Sequence, residues 1–333
     1  MKKSLFILPF LSLIALFGCS PKEGDGGKSI NVGLFPNVTH AQGLIAYQMA
    51  QEGRPWFEKR LGGDVKVNWF AFNAGPSAME SMLTGAIDVT YVGPNPAINS
   101  FIKSRGEEIR IIAGAADGGA GLVVNPKLNI KTAQDFKSKK IASPQYANTQ
   151  DVAARAWVIA NNMTVDNGAG GDVQVIPTKN PDQLALFLSG DIDAVWGVEP
   201  WISILEKNGG AKMFLFEKDA VTTVLTSSVK ALNKNKELIK KFRDAHVELT
   251  KWINENPKEA KELVLKGLES ITRSKGKISP ELVDSAWERI IFTPEINRKG
   301  IEKFVDDASA CGFIKQRMDM APLFYNFEEN NGK

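Results

Sequence analysis

The sequence predicts an α/β protein of two lobes with a ligand cleft between them, and three observations lead there. Short β-rich runs alternate with helical patterns along most of the chain. A seven-residue pattern occurs once in each half. The 333 residues also exceed what a single ordinary core organises, so the chain is expected to divide.

The alternation opens with a strand expected over Ser29 to Phe35, a helix over Ala41 to about Arg60, a strand over Val65 to Phe72, a helix over Pro76 to Leu83 and a strand over Ile87 to Val92. Such alternation specifies parallel sheets covered by helices, because parallel neighbours need a crossover. It continues with strands at Ile109 to Ala113, Leu122 to Val124 and Lys140 to Ala142, a helix from Asn148 to Asn161, a strand at Val173 to Ile176, a helix from Pro181 to Leu188 and a strand at Ile192 to Trp196. From Lys230 onward the pattern becomes almost wholly helical.

Leu83-Thr84-Gly85-Ala86-Ile87-Asp88-Val89 is echoed by Leu188-Ser189-Gly190-Asp191-Ile192-Asp193-Ala194, with the glycines 105 residues apart. In each copy a helix should end on a glycine suited to a left-handed C-terminal conformation, and a strand should follow with its Ile in the core. Both strands then run into Gly/Pro-rich loops, Gly93-Pro94-Asn95-Pro96 and Gly197-Val198-Glu199-Pro200-Trp201. The repeat supports two similar lobes. Lobe one is expected to comprise residues 29–117 and 222–333, and lobe two residues 118–221, with Gly118, Gly119 and Gly121 absorbing rotation at the first crossing.

The N-terminus has its own logic. Met1-Lys2-Lys3, the apolar run Leu5 to Phe17 and Leu16-Phe17-Gly18-Cys19 form a lipoprotein-type signal over residues 1–18, too short to span a bilayer comfortably. Cys19 would become the lipid-bearing first residue, and the Gly-rich, charged residues 19–28 a flexible tether. Cleavage leaves 39 basic against 38 acidic residues, and no basic cluster with interleaved aromatics marks a nucleic-acid surface. The other cysteine, Cys311, reads as a small buried apolar residue.

In open α/β sheets ligands sit beyond the carboxyl ends of the strands, where helix starts present unpaired N–H groups. Five junctions qualify. Asn37, Thr39 and His40 precede the first helix; Asn73, Gly75 and Ser77 open the second, with Pro76 at a first-turn position where its missing N–H costs nothing. Asn95 lies in the third, Tyr146, Asn148 and Thr149 in the fourth, and Glu199 and Trp201 in the fifth. His40 suits either a ligand contact or an ordinary capping or packing role. Converging helix starts make an electropositive pocket without Lys or Arg, each end carrying about half a positive charge, which suits a small anion. Glu199 and Asp117 cut against this: a carboxylate facing the pocket would call for an amine or other donor on the ligand. No phosphate loop, Gly-x-Ser-x-Gly elbow or metal-spaced His/Cys/Asp set occurs, so neither catalysis, a cofactor nor a metal is expected.

These residues resemble a known family. Phe72-Asn73-Ala74-Gly75-Pro76, Glu80-x-x-Leu83-x-Gly85-x-x-Asp88-Val89, Val92-Gly93-x-x-Pro96, Asn148-Thr149-Gln150-Asp151-Val152, the second echo with Glu199-Pro200, and Phe292-Thr293-Pro294 to Leu323-Phe324 are similar to solute-binding proteins for alkanesulfonates, taurine, nitrate and thiamine precursors, the NMT1/THI5-like family. The resemblance implies a type II periplasmic-binding fold, a monomeric exported lipoprotein serving the permease of an ABC importer, and ligand contacts from Asn37, Thr39, Gly75, Ser77, Asn95, Asn148, Thr149 and Glu199. The expected solute is a small anion of the sulfonate or nitrate type. Trp201, Tyr146 and Glu199 would instead suit a thiamine-precursor pyrimidine, and a zwitterion such as taurine would also fit. An extracytoplasmic enzyme or sensor domain of the same fold is the alternative of a different class. The enzymatic, cysteine-rich branch of the fold is not matched, since no cysteine run exists here.

Overall fold

The structure, a computed structural model, describes residues 28–273 and 278–328. The expected signal segment and Cys19 lie outside the described residues, as does all of the tether except Lys28. In chain order the elements are β1 (Ser29–Leu34), α1 (Ala41–Gln51), α2 (Trp56–Leu61), β2 (Lys66–Ala71), α3 (Gly75–Leu83), β3 (Val89–Val92), α4 (Pro94–Lys103), β4 (Ile109–Gly118), β5 (Ala120–Val124), β6 (Lys139–Ser143), α5 (Thr149–Ala160), β7 (Val165–Asp166), β8 (Val173–Pro177), α6 (Asn180–Ser189), β9 (Ala194–Val198), α7 (Trp201–Gly209), β10 (Lys212–Glu217), β11 (Val221–Ser228), α8 (Val229–Lys234), α9 (Lys236–Glu255), α10 (Pro257–Thr272), α11 (Pro280–Trp287), β12 (Ile290–Phe292) and α12 (Arg298–Ala310).

The strands form two six-stranded sheets, ordered β12-β4-β11-β3-β1-β2 and β10-β5-β9-β6-β8-β7. Each has a parallel half, β2-β1-β3 in one and β7-β8-β6-β9 in the other, continued by antiparallel strands. The fold is that of two α/β lobes, and the sequence echo marks equivalent places in them. Gly85 (φ 81°) and Gly190 (φ 84°) both take the left-handed conformation, where a side chain would be strained. Asp88 then accepts a bond from the Asn31 amide at the start of β1, and Asp193 accepts one from the Lys140 amide in β6, both at 2.8 Å. The same carboxylate therefore pins the same neighbouring strand in each lobe.

Three local expectations are corrected. The helix expected over 41–60 is two helices, because Gly53 (φ 74°) ends the first and Pro55 starts the second. The loop expected at Gly93-Pro94-Asn95-Pro96 is already helical from Pro94, since proline is well placed in a first turn. The C-terminal region contributes β12, whose pairing with β4 no short apolar triplet could announce.

The chain crosses between the sheets twice, at Gly118-Gly119 (φ 72° and 67°) and between β10 and β11. The Gly118 amide donates to the Ala220 carbonyl at 2.8 Å, so the two crossings lie side by side. One large apolar cluster spans both lobes: Val92, Ile98 and Phe101 of the first sheet's side join Leu122, Phe136, Val152 and Trp196 of the second. The lobes thus stand pressed together.

Within the first lobe, His246 is fully buried. Its ring bonds the Gly114 carbonyl at 2.8 Å through Nε2 and the Tyr91 hydroxyl at 3.1 Å through Nδ1. The Gly114 carbonyl calls for a proton on Nε2, and a neutral ring so protonated can accept from the Tyr91 hydroxyl through Nδ1. Burial depresses its pKa from 6.5 to about 4. A depressed histidine leaves the folded state as the weaker proton binder, so stability is intact above pH 6.5 and declines as pH falls toward 4. Denaturant titration at pH 7 and pH 4 should show the native protein losing about 3 kcal/mol more than His246→Gln; equal losses would contradict this account of the ring.

Candidate ligand-binding site

Where the carboxyl ends of both parallel half-sheets meet, the lobes enclose a crevice with about 350 Å³ of empty space, counting the part open to solvent. Lobe one supplies Phe35, Asn37, Thr39 and His40 after β1, Asn73 to Gly75 at the start of α3, Gly93 and Pro96 at the start of α4, and Thr222. Lobe two supplies Pro144, then Asn148 to Gln150 at the start of α5, Asn180 at the start of α6, and Val198 at the end of β9. Four helix starts therefore converge on one small space. The first-turn amides of a helix have no partner within it, and α3 and α6 have no capping side chain either. At α5 the Asn148 side chain accepts from the Asp151 amide at 2.8 Å, so it does not cap the Thr149 and Gln150 amides, whose residues line the crevice.

Two further groups point to a guest. Thr149 Oγ1 and Asn180 Oδ1 are buried and have no protein partner, an expensive state unless something else fills it. Among the described residues, no Lys, Arg, Asp or Glu lines the crevice. His40 adds no charge: its Nδ1 accepts from the Phe35 amide at 3.3 Å, its ring stacks on Phe35, and burial depresses its pKa to about 3. The lining is uncharged among the described residues and biased positive by helix ends, an arrangement that stabilises a small anion without a counter-charge, while Asn180 Oδ1 can only accept from an N–H or O–H.

Of the expected residues, Asn37, Thr39, His40, Asn73, Gly75, Asn148 and Thr149 are brought together here. Five are placed elsewhere. Ser77, in the first turn of α3, is not among the lining residues and bonds Gln145 of the other lobe (Gln145 Nε2 to Ser77 Oγ, 3.3 Å). Asn95 is wholly buried behind α4, donating to the Phe304 carbonyl at 3.2 Å. Tyr146 is 57% exposed, its ring against Phe313 and the Arg155 guanidinium. Trp201 donates from its indole to Asn37 Oδ1 at 2.8 Å, forming a wall beside the crevice. The Glu199 side chain turns from the crevice to Arg289, 2.8 Å away. Burial raises its pKa and Arg289 opposes that rise. Asp117, the other carboxylate of concern, bonds Asn297 instead of lining the crevice. Asn180, Gln150 and Thr222 are lining residues that sequence reasoning passed over. Asn180 carried a usable signal, an Asn-Pro pair opening a helix after a strand.

The lobes are joined across the crevice by main chain as well. The Val38 amide donates to the Glu199 carbonyl at 3.0 Å, and the Glu199 amide in turn ties this residue to the crossing, donating to the Gly119 carbonyl at 2.9 Å. At Gly93 a Cβ would stand 2.3 Å from Thr149 Oγ1, so glycine is what lets α4 and α5 approach.

The fold and site together define a two-lobed ligand-binding protein. The chain belongs to the NMT1-like family, whose model matches residues 23–266. It is 26% identical over 346 residues to a putative aliphatic sulfonates-binding protein of Bacillus subtilis (strain 168), covering 96% of this chain and 98% of that relative. A taurine-binding periplasmic protein of Escherichia coli (strain K12) is 26% identical over 174 residues, half of each chain. Among solved structures, the alkanesulfonate-binding protein SsuA of Xanthomonas axonopodis pv. citri, bound to MOPS, superposes with a TM-score of 0.71 at 18% identity, over 89% of this chain and 98% of that one. The periplasmic nitrate-binding protein NrtA of Synechocystis PCC 6803 gives 0.71 at 16% identity, over 88% and 84%. These structures share the fold, that of periplasmic binding proteins.

Gly93→Ala should hold the lobes apart while leaving each folded. Overpacking of this size costs about 1–3 kcal/mol, so ligand affinity should fall by roughly tenfold or more and small-angle scattering should report a larger radius of gyration. An unchanged radius and affinity would mean that the Gly93–Thr149 approach does not limit closure.

Proposed function

We propose that this protein is the extracytoplasmic solute receptor of an ABC importer, closing on a small anion of the sulfonate or nitrate type and delivering it to the permease. The observation that carries the reading is the crevice itself: free of ionised side chains among the described residues and lined by helix starts of both lobes, with the Thr149 hydroxyl unpartnered there. The names of the relatives, sulfonate- and taurine-binding proteins, support the same chemistry. A ligand shifts the lobes toward closure only by touching both, and the lining residues come from both. The lobes divide at 117/118 and 221/222, with Gly118-Gly119 and the neighbouring Lys218 to Ala220 as hinge.

A pyrimidine guest has lost its support, because Trp201 and Tyr146, the rings meant to stack on it, do not line the crevice. The acid reserved for its amine, Glu199, is committed to Arg289. Thermal unfolding with ethanesulfonate, taurine, nitrate or a thiamine-precursor pyrimidine tests this. At a hundredfold excess over its dissociation constant a true ligand adds about 2.7 kcal/mol, and the account expects that gain from an anion or taurine. A shift produced by the pyrimidine alone would contradict it.

The receptor acts as a monomer held to its membrane by lipid on Cys19. In cell fractionation Cys19→Ser should move the protein from the membrane to the soluble fraction; a variant that stays with membranes would reject the anchor.

A further inference from the structure

One ion pair straddles the crossing between the sheets. Arg289 stands just before β12, whose Ile290 pairs with Gly118 at the end of β4, and a Cβ on Gly118 would come within 2.6 Å of the Arg289 carbonyl. The main chain of Arg289 is thus packed against the lobe-one side of the crossing. Glu199 stands on the other side, at the end of β9, with its amide bonded to the Gly119 carbonyl. From these two places the side chains meet: Arg289 Nη1 lies 2.8 Å from Glu199 Oε1 and 2.7 Å from Oε2 of Glu206, farther along in α7.

The partners are unequally placed. The Glu199 side chain is 0% exposed, against 27% for Arg289 and 24% for Glu206. Glu199 Oε2 also accepts from the Ser203 amide at 3.1 Å, but burial pushes its carboxyl up and Arg289 is the charge that opposes the rise. Taking Arg289 away would strand a buried carboxylate, a far larger loss than that of a surface pair. Any shift of Glu199 is passed on to the crevice. Its carbonyl holds the Val38 amide, and Trp201 holds Asn37, which lines the crevice beside Thr39.

We infer that Arg289 is the positioning residue of the closed form: held at the crossing by lobe one, its guanidinium ties Glu199 and Glu206 of lobe two and so sets the angle at which the crevice walls meet, although Arg289 is not among the lining residues. Its effect on affinity rests on the function proposed above; its hold on the lobes does not. Without Arg289, closure would bury an unpaired Glu199, so closure would take up a proton and affinity would rise as pH falls. Glu206 loses the same partner but stays in contact with solvent. Asp117, near the same crossing, bonds Asn297 and is common to every variant, and burial keeps the rings of His40 and His246 neutral above about pH 4.

Calorimetry with ethanesulfonate, which stays ionised throughout, and small-angle scattering without it test the inference on the native protein, Arg289→Gln and the double variant Glu199→Gln with Arg289→Gln. At pH 8 Arg289→Gln should bind at least about tenfold more weakly than the native protein. Between pH 8 and pH 5.5 it should regain at least about fivefold beyond any change the native protein shows, since a pKa raised by one unit on closure is a factor of about ten in affinity below it. The double variant, with no buried charge to strand, should bind within about threefold of the native protein at both pH values. In scattering at pH 8, Arg289→Gln should have the larger radius of gyration and the double variant the native one. Native-like binding by Arg289→Gln, a loss equal at both pH values, or a double variant as weak as the single one would overturn the role of Arg289. If ethanesulfonate fails to bind even the native protein, the crevice reading falls, and the radii alone decide: equal radii for the native protein and Arg289→Gln would overturn the inference as well.

Discussion

The proposed function turns on how a protein could enclose a negative charge without offering a positive one. Taking an anion out of water costs several kcal/mol even after relaxation, and among the described residues no ionised side chain lines the crevice to offset it. What remains is the peptide group. Charge-assisted hydrogen bonds contribute about 1.5–3 kcal/mol each, and a helix start in a partly buried setting adds up to about 2 kcal/mol. Several such donors together match the cost only if they converge from more than one direction. The lining comes from both lobes, so a guest held this way draws on both at once.

Closure is held by contacts that are not themselves ligand contacts. Val38 to Glu199, Trp201 to Asn37, Gln145 to Ser77 and Arg289 to Glu199 and Glu206 all join the lobes around the crevice. Glu199 sits at the centre of this set. Its amide touches the hinge at Gly119, its carbonyl touches the turn that opens the site, and its carboxylate is anchored on Arg289. The residue suspected of repelling an anion is turned to fastening the lobes together.

Much of the architecture was legible because it rests on local rules. Glycines at 85 and 190 end helices in left-handed turns, Asp88 and Asp193 repeat one pairing, and Asn73, Gly75, Asn148 and Thr149 mark helix starts that all face the crevice. The misreadings share a physical origin. Sequence spacing places a residue at a helix start, but packing decides which way its side chain turns: Asn95 is drawn back to the Phe304 carbonyl, and Tyr146 outward to Phe313 and Arg155. Asn180 and Thr222 come from segments distant in sequence, and only the folded arrangement brings them to the same space.

The central claim is that charge on the ligand is recognised by amides rather than by shape alone. Ethanesulfonate and ethanesulfonamide have nearly the same size, but only the first is ionised at pH 7. Calorimetry of the two against the native protein at one salt concentration measures the claim directly. A preference of about a hundredfold or more for the sulfonate, corresponding to one or two charge-assisted bonds, is the result expected here. Equal binding of the neutral isostere would contradict the account at its foundation.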